Sequence, residues 1–237
     1  MVFGKVVYTN NLSIIVFMLL QFIFAHLNAI ALGMWIVFFV VVAVRFLRPL
    51  WVKNISYSSL VVGVIALHIF YAIFVTWGQY YIWATSSDFT RALLAAPLPP
   101  EAPLPAILEY VRHYFDGPLG YFAYYALGRF FLSVMVLFLV SGLFYAIIKF
   151  WNLRRKSFEA EGPEFLLLLM LIVGWPRVLV LIPLGFLTAI LFSITNLMFF
   201  KKDKVSLLPA FLVATPIVLI GGNVILDLLH LYVLLNI

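Results

Sequence analysis

Apolar runs long enough to cross a bilayer follow one another along almost the whole chain, and basic clusters fall in alternate gaps between them. These clusters are Arg45, Arg48 and Lys53, then Arg154, Arg155 and Lys156, then Lys201, Lys202 and Lys204. Lys and Arg close to a membrane span are retained on the cytoplasmic side. The alternation predicts an all-α fold, a polytopic transmembrane helical bundle in the plasma (inner) membrane with its N-terminus in the cytoplasm. Hydrophobic residues make up 66% of the 237 and charged residues 10%, more apolar surface than one soluble core of this size encloses. Membrane lipid is therefore the first expected partner. Six or seven spans of roughly 20 residues use up most of the length, which leaves one membrane domain over 1–237. The net charge of +6 sits at span ends and does not point to nucleic acid.

Cysteine is absent, which excludes disulfides, thiolate metal sites, iron–sulfur clusters and Cys nucleophiles together. No phosphate loop, nucleophile elbow or metal-ligand spacing occurs, so neither a metal nor a cofactor is expected. The N-terminal MVFGKVVYTNN leads into an apolar run without a small-residue cleavage site, and is read as the start of a retained first span.

That run, Leu12 to Leu50, is about twice what one span needs. It predicts a helical hairpin turning near 28–33, with spans at roughly 12–28 and 31–47. A third span is expected over Ser56 to Trp77, and an outer loop with an interfacial segment over 78–128. The loop carries PLPPEAPLP at 97–105, expected to be extended. Residues 106–128, rich in Tyr and Phe, read as an interfacial helix feeding a fourth span at about 130–151. An acidic run at 157–164 follows on the cytoplasmic side. Phe165 to Val173 is short for a span and is broken by Gly174-Trp175-Pro176. Either it crosses, for seven spans and an outer C-terminus, or it is re-entrant, for six spans and an inner one. A span at about 177–199 follows. The last apolar region, 206–237, contains Pro209, Pro216 and Gly221-Gly222 and is expected to be kinked or broken.

Polar groups inside spans are functional hypotheses by default. In the hairpin topology His26 and His68 lie at matching depth on parallel spans, where two histidines could hold a haem between them. The competing reading gives each a hydrogen bond to a neighbouring helix. Asp227 and His230 share one face near the end of the last helix and read as interfacial polarity.

From Trp35 onward the order of features resembles the membrane domain of type IV prepilin peptidases, polytopic aspartic peptidases. The stretch 174–229 carries most of the likeness: a Gly-Trp-Pro turn, a span with small residues, a basic loop, a proline-containing start to the last span, and a Gly-polar pair before its end. The resemblance implies a bundle that cleaves leader peptides of prepilin-like substrates at the cytoplasmic face. It also implies catalytic aspartates at two positions where this chain has none. Arg45 stands where the first belongs. The second falls at Gly162, with Glu161 and Glu164 beside it.

An aspartic peptidase needs two carboxylates able to share a proton. A carboxylate facing a guanidinium is held ionised instead. The expectation is a catalytically degenerate relative in which Arg45 or Arg48 pairs with Glu161 or Glu164. Three function classes follow: a peptidase acting through another acid, a non-catalytic scaffold binding prepilin-like single-span helices or other membrane subunits, and a transporter or bis-His haem protein using His26 and His68.

Overall fold

The computed structural model describes residues 18–19, 21–51, 54–102, 104, 109–155, 161–200 and 206–231. Every regular element among them is helical. The first, α1, spans Leu27–Leu47, and residues 21–25 before it are also helical. His26 donates its N–H to Phe22 O at 3.1 Å and accepts from Ile30 N at 3.0 Å, so helical hydrogen bonding passes through the junction. The expected hairpin at 28–33 is therefore absent. Asn28 and Gly33 are ordinary helix-interior residues here, since neither compels a reversal when the flanking residues favour helix. The helix stops at Arg48, whose φ of −135° and ψ of 67° lie outside the helical region, as the clash with the following Pro49 demands.

Ser56 starts α2, Tyr57–Ser86, by accepting a hydrogen bond from Ser59 N through its side chain. At 30 residues it is about 45 Å long and runs well past the expected end at Trp77. Gly78 lies within it, and a Cβ there would come 2.1 Å from the Phe24 ring. The glycine marks a close approach of two helical segments, not a helix end.

Ser87 and Thr90 form a reciprocal capping box for α3, Asp88–Ala95. The chain beyond it leaves the helix at Ala96, which is extended (φ −77°, ψ 141°) as a residue before proline prefers, and has no regular structure over 96–99. Arg112 pins this stretch: its guanidinium donates to Ala102 O at 2.9 Å and Pro100 O at 3.1 Å, and to Glu109 at 2.8 Å. The Arg112 hydrogen bond also holds the exposed Glu109 carboxyl below the usual carboxylate range. Leu98 N reaches Phe115 O at 2.9 Å, and Leu98 and Phe115 are both buried. The segment from Leu98 to Phe115 thus folds back on itself. A small separate core of Leu94, Phe122 and Ala126, with Trp83 and Phe130 against it, ties it to the bundle.

The described part of 106–128 is not one continuous helix, although Glu109 and residues 120–126 are helical. A 3-10 turn, Arg112–Tyr114, and Asp116-Gly117-Pro118 intervene, and α4 begins only at Gly120 (Gly120–Ala126). A π-helical turn, Leu127–Phe131, joins it to α5, Leu132–Arg155.

The short α6, Gly162–Val173, has Pro163 in its first turn and ends at Gly174. That glycine adopts φ 76° and ψ 173°, a region open essentially to glycine alone. At 12 residues α6 extends about 18 Å, too little to cross unaided, yet nearly all of it is buried. It packs against α1, α2 and α5 and against the last two helices, α7 (Val178–Phe200) and α8 (Leu207–Leu228). Those two form an antiparallel pair. A Cβ on Gly185 would lie 2.6 Å from the Phe211 ring, so α7 meets α8 there at glycine distance. The last helix, expected to be kinked or broken, is continuous through Pro216 and Gly221-Gly222. Prolines are tolerated in membrane helices packed among neighbours, and Phe211, Ala214, Thr215 and Val218 around this one are fully buried.

The result is an all-α bundle with, among the described residues, five helices long and apolar enough to cross a membrane, arranged around the buried α6. The exposed large hydrophobics, among them Val37, Phe70, Leu139, Ile190 and Ile220, form the outward surface a lipid-solvated bundle requires.

Candidate functional site

Arg45, Tyr57, Glu161, Gly162 and Leu208 line one cavity of about 400 Å³ together with Phe46, Pro49 and Phe165. These residues come from the end of α1, the start of α2, the start of α6 and the start of α8. The end of α1 and the starts of α2, α6 and α8 therefore meet at one end of the bundle.

Each functional side chain is placed by a helix terminus. Arg45 sits in the last turn of α1, where a cation complements the exposed carbonyls, and Glu161 and Glu164 occupy the cap and first turn of α6, where anions complement the free N–H groups. Arg45 Nη2 donates to Glu161 Oε2 at 2.6 Å. The Arg45 side chain is 12% exposed and that of Glu161 45%. The guanidinium carbon lies 4.3 Å from the centre of the Tyr57 ring, a cation–π geometry. Tyr57 in turn meets Phe165 edge-on at 5.3 Å, and Phe46 stacks on Phe165 at 5.0 Å. The pair thus stands over an aromatic floor.

Glu164 belongs to a different set. Tyr145 Oη donates to its Oε1 at 2.9 Å and Lys149 Nζ at 3.2 Å, and Lys149 also bonds Tyr145 Oη. Of the pairings open in the sequence, the structure brings together Arg45 and Glu161. It hands Glu164 to α5, and Arg48 ends α1 in an exposed position. Gly162, at the second aspartate position of the resemblance, is buried in the wall. Lys53 lies outside the described residues, as do Lys156 and the 201–204 cluster. Tyr145 and Lys149 were not legible as partners, although an (i, i+4) polar pair near the end of a span is a signal that could have found them.

Chemically, the arrangement divides two neighbouring glutamates between two cations. Each carboxylate faces its own cation, whereas a dyad sharing one proton needs two carboxylates facing each other.

The two histidines are not brought together. His68 is buried, with Nε2 2.9 Å from Leu171 O and its ring stacked on Trp35 at 4.4 Å. His26 is exposed, bonded to Phe22 O of its own helix and tilted against the Phe22 ring. Trp35, nine residues beyond His26, is the α1 residue level with His68, so the two histidines differ in depth by about 13 Å. The matched depth depended on the hairpin. Asp227 and His230 lie exposed at the end of α8. Among the described residues no three of His, Cys, Asp and Glu gather as a metal site would need. Comparison with family models, curated proteins and solved structures finds no match for this chain.

Proposed function

We propose that this protein is a non-catalytic membrane scaffold on a plan resembling that of type IV prepilin peptidases. In this reading the cytoplasmic segments that carry the dyad in those enzymes are joined instead by a salt bridge. The observation that carries it is the 2.6 Å Arg45–Glu161 pair, at the first position where the resemblance expects a carboxylate and beside the second, Gly162. A guanidinium in place of one carboxylate removes the shared proton on which peptide hydrolysis by such a dyad depends. What remains is an aromatic-floored cavity between helix ends, bordered by lipid-facing surface and suited to the end of a prepilin-like single-span helix or another membrane subunit.

The positive-inside rule puts the Arg45 end in the cytoplasm of the plasma membrane. Since α1 is one helix and not half of a hairpin, Met18 then lies towards the outer face. The expectation of a cytoplasmic N-terminus loses its basis, residues 1–17 being outside the described set. The end of α8 near Leu228 is directed outward as well.

The test is incubation of the purified protein in lipid nanodiscs with a prepilin-like peptide comprising a basic leader, a glycine at the junction and an apolar helix. Saturable binding without a cleaved product is expected, weakened by Leu208→Trp, which fills the cavity. Leader cleavage abolished by Glu161→Gln or Glu164→Gln would overturn the non-catalytic reading, and absence of binding would overturn the scaffold reading.

A further inference from the structure

Of the histidines, only His68 is enclosed by the bundle, with 7% of its surface exposed. Its Nε2 lies 2.9 Å from Leu171 O. A carbonyl can only accept, so Nε2 carries the proton, and the neutral ring keeps an acceptor lone pair on Nδ1. That nitrogen bonds no partner among the described residues. Trp35, stacked at 4.4 Å, and Phe138, edge-on at 6.0 Å, hold the plane of the imidazole.

His68 lies in the wall of a second cavity, of about 490 Å³, bounded by α1, α2, α5 and the turn after α6. Trp35, level with it, is about 15 Å along α1 from Arg45. The imidazole is therefore near the middle of a hydrocarbon core about 30 Å thick, a depth at which an ionisable side chain points to function. Tyr71 stands three residues beyond His68 on the same face of α2, where side chains are neighbours, and lines the same cavity. Its hydroxyl makes no hydrogen bond to a described residue.

The rest of the lining decides what can enter. Leu32, Val75, Val134 and Leu137 are apolar, and Trp35 and Phe130 are aromatic. The charged lining residues, Arg129 and Arg177, are both cations, which disfavours an ammonium donor. A carboxylate has no hydrogen to give to Nδ1. The group that satisfies His68 is therefore an uncharged O–H, and the aromatic wall suits a planar ring. A phenol meets both demands, its O–H donating to Nδ1 while its oxygen accepts from Tyr71. The volume is in the range of small-molecule sites.

We propose that this cavity binds a membrane-dissolved phenol, the class that includes hydroquinones, with His68 Nδ1 as acceptor and the Tyr71 hydroxyl as donor. The site is independent of the basic-end cavity and of the function proposed for it.

The test follows the imidazole directly. Of the four histidines, His26, His113 and His230 are exposed, so a full-length protein carrying His26→Gln, His113→Gln and His230→Gln and labelled with nitrogen-15 histidine shows only His68. In nanodiscs of zwitterionic lipid it would be titrated with para-heptylphenol and with para-heptylanisole, the methyl ether that lacks the O–H. A saturable shift of the Nδ1 resonance is expected from the phenol and not from the anisole. Tyr71→Phe should weaken binding about fivefold, the loss of one hydrogen bond. Val134→Phe, which fills the cavity from α5 and leaves His68 and Leu171 in place, should weaken it about tenfold or more. No shift with the phenol, an equal shift with the anisole, or unaltered binding by either variant would overturn the proposal. The comparison of phenol and anisole needs neither cavity variant, so it decides even where one of them fails to fold.

Discussion

Arg45 serves α6 through its charge and α2 through the face of Tyr57, so its removal should cost more than the loss of one surface ion pair. Both partners keep some exposure to water, which limits the coupling. A double-mutant cycle of Arg45→Gln and Glu161→Gln, read from thermal unfolding in detergent, should give a coupling of about 1 kcal/mol. Arg45→Gln alone should be the more destabilising single change, because it also forfeits the cation–π contact. Equal single effects would count against the Tyr57 contribution. A second residue-scale expectation concerns the outer segment. The Glu109 carboxyl is held below its ordinary value by Arg112, so the clamp is fully formed above the unfolded carboxylate value of about 4.3. It is lost as pH falls through the lower, folded value. Hydrogen-exchange protection of the Leu98 N–H should therefore drop on acidification below about pH 4, and Glu109→Gln should lower it already at neutral pH. At this scale the charges at helix ends were legible, because a cation or anion near a terminus is visible as sequence. Tyr71 was not singled out, although its (i, i+3) spacing from His68 is a signal that could have found it.

Among the elements, α6 decides the architecture, and its boundary depends on a backbone conformation. Gly174→Ala places a Cβ in a region that only glycine occupies comfortably, and should destabilise the bundle by about 1–3 kcal/mol. Gly185→Val drives a side chain into the Phe211 ring and should cost a similar 1–3 kcal/mol by overpacking. Gly142→Ala, where no neighbouring atom lies within 4 Å of a Cβ, should be nearly neutral. Unfolding midpoints of the three variants in one detergent provide the comparison. The length and break of α6 were readable from Gly174-Trp175-Pro176. The false hairpin at 28–33 arose because hydropathy measures how much apolar chain there is and not whether it turns. Residues such as Asn28 and Gly33 are compatible with either outcome. The expectation of one helix over 106–128 does not hold at 112–119, where the chain turns, since aromatic residues that suit a membrane interface equally suit a small core around Trp83 and Phe122.

For the whole molecule, the absence of cysteine permits a direct test of orientation. Tyr110 and Trp51 are highly exposed at opposite ends of the bundle. In intact cells Tyr110→Cys should react with an impermeant maleimide, and Trp51→Cys only after permeabilisation. The reverse pattern would invert the proposed topology. The sequence by itself determined that this chain belongs in lipid and that it is helical, because hydropathy acts on each segment locally and needs no partner. Only the tertiary structure decided that α1 is one helix, that Arg45 chooses Glu161 while Glu164 goes to Lys149, and that His68 donates to Leu171 O in the wall of a cavity. Those outcomes depend on which helix faces lie against one another, and in a chain apolar on nearly every face the sequence pattern leaves that choice to packing.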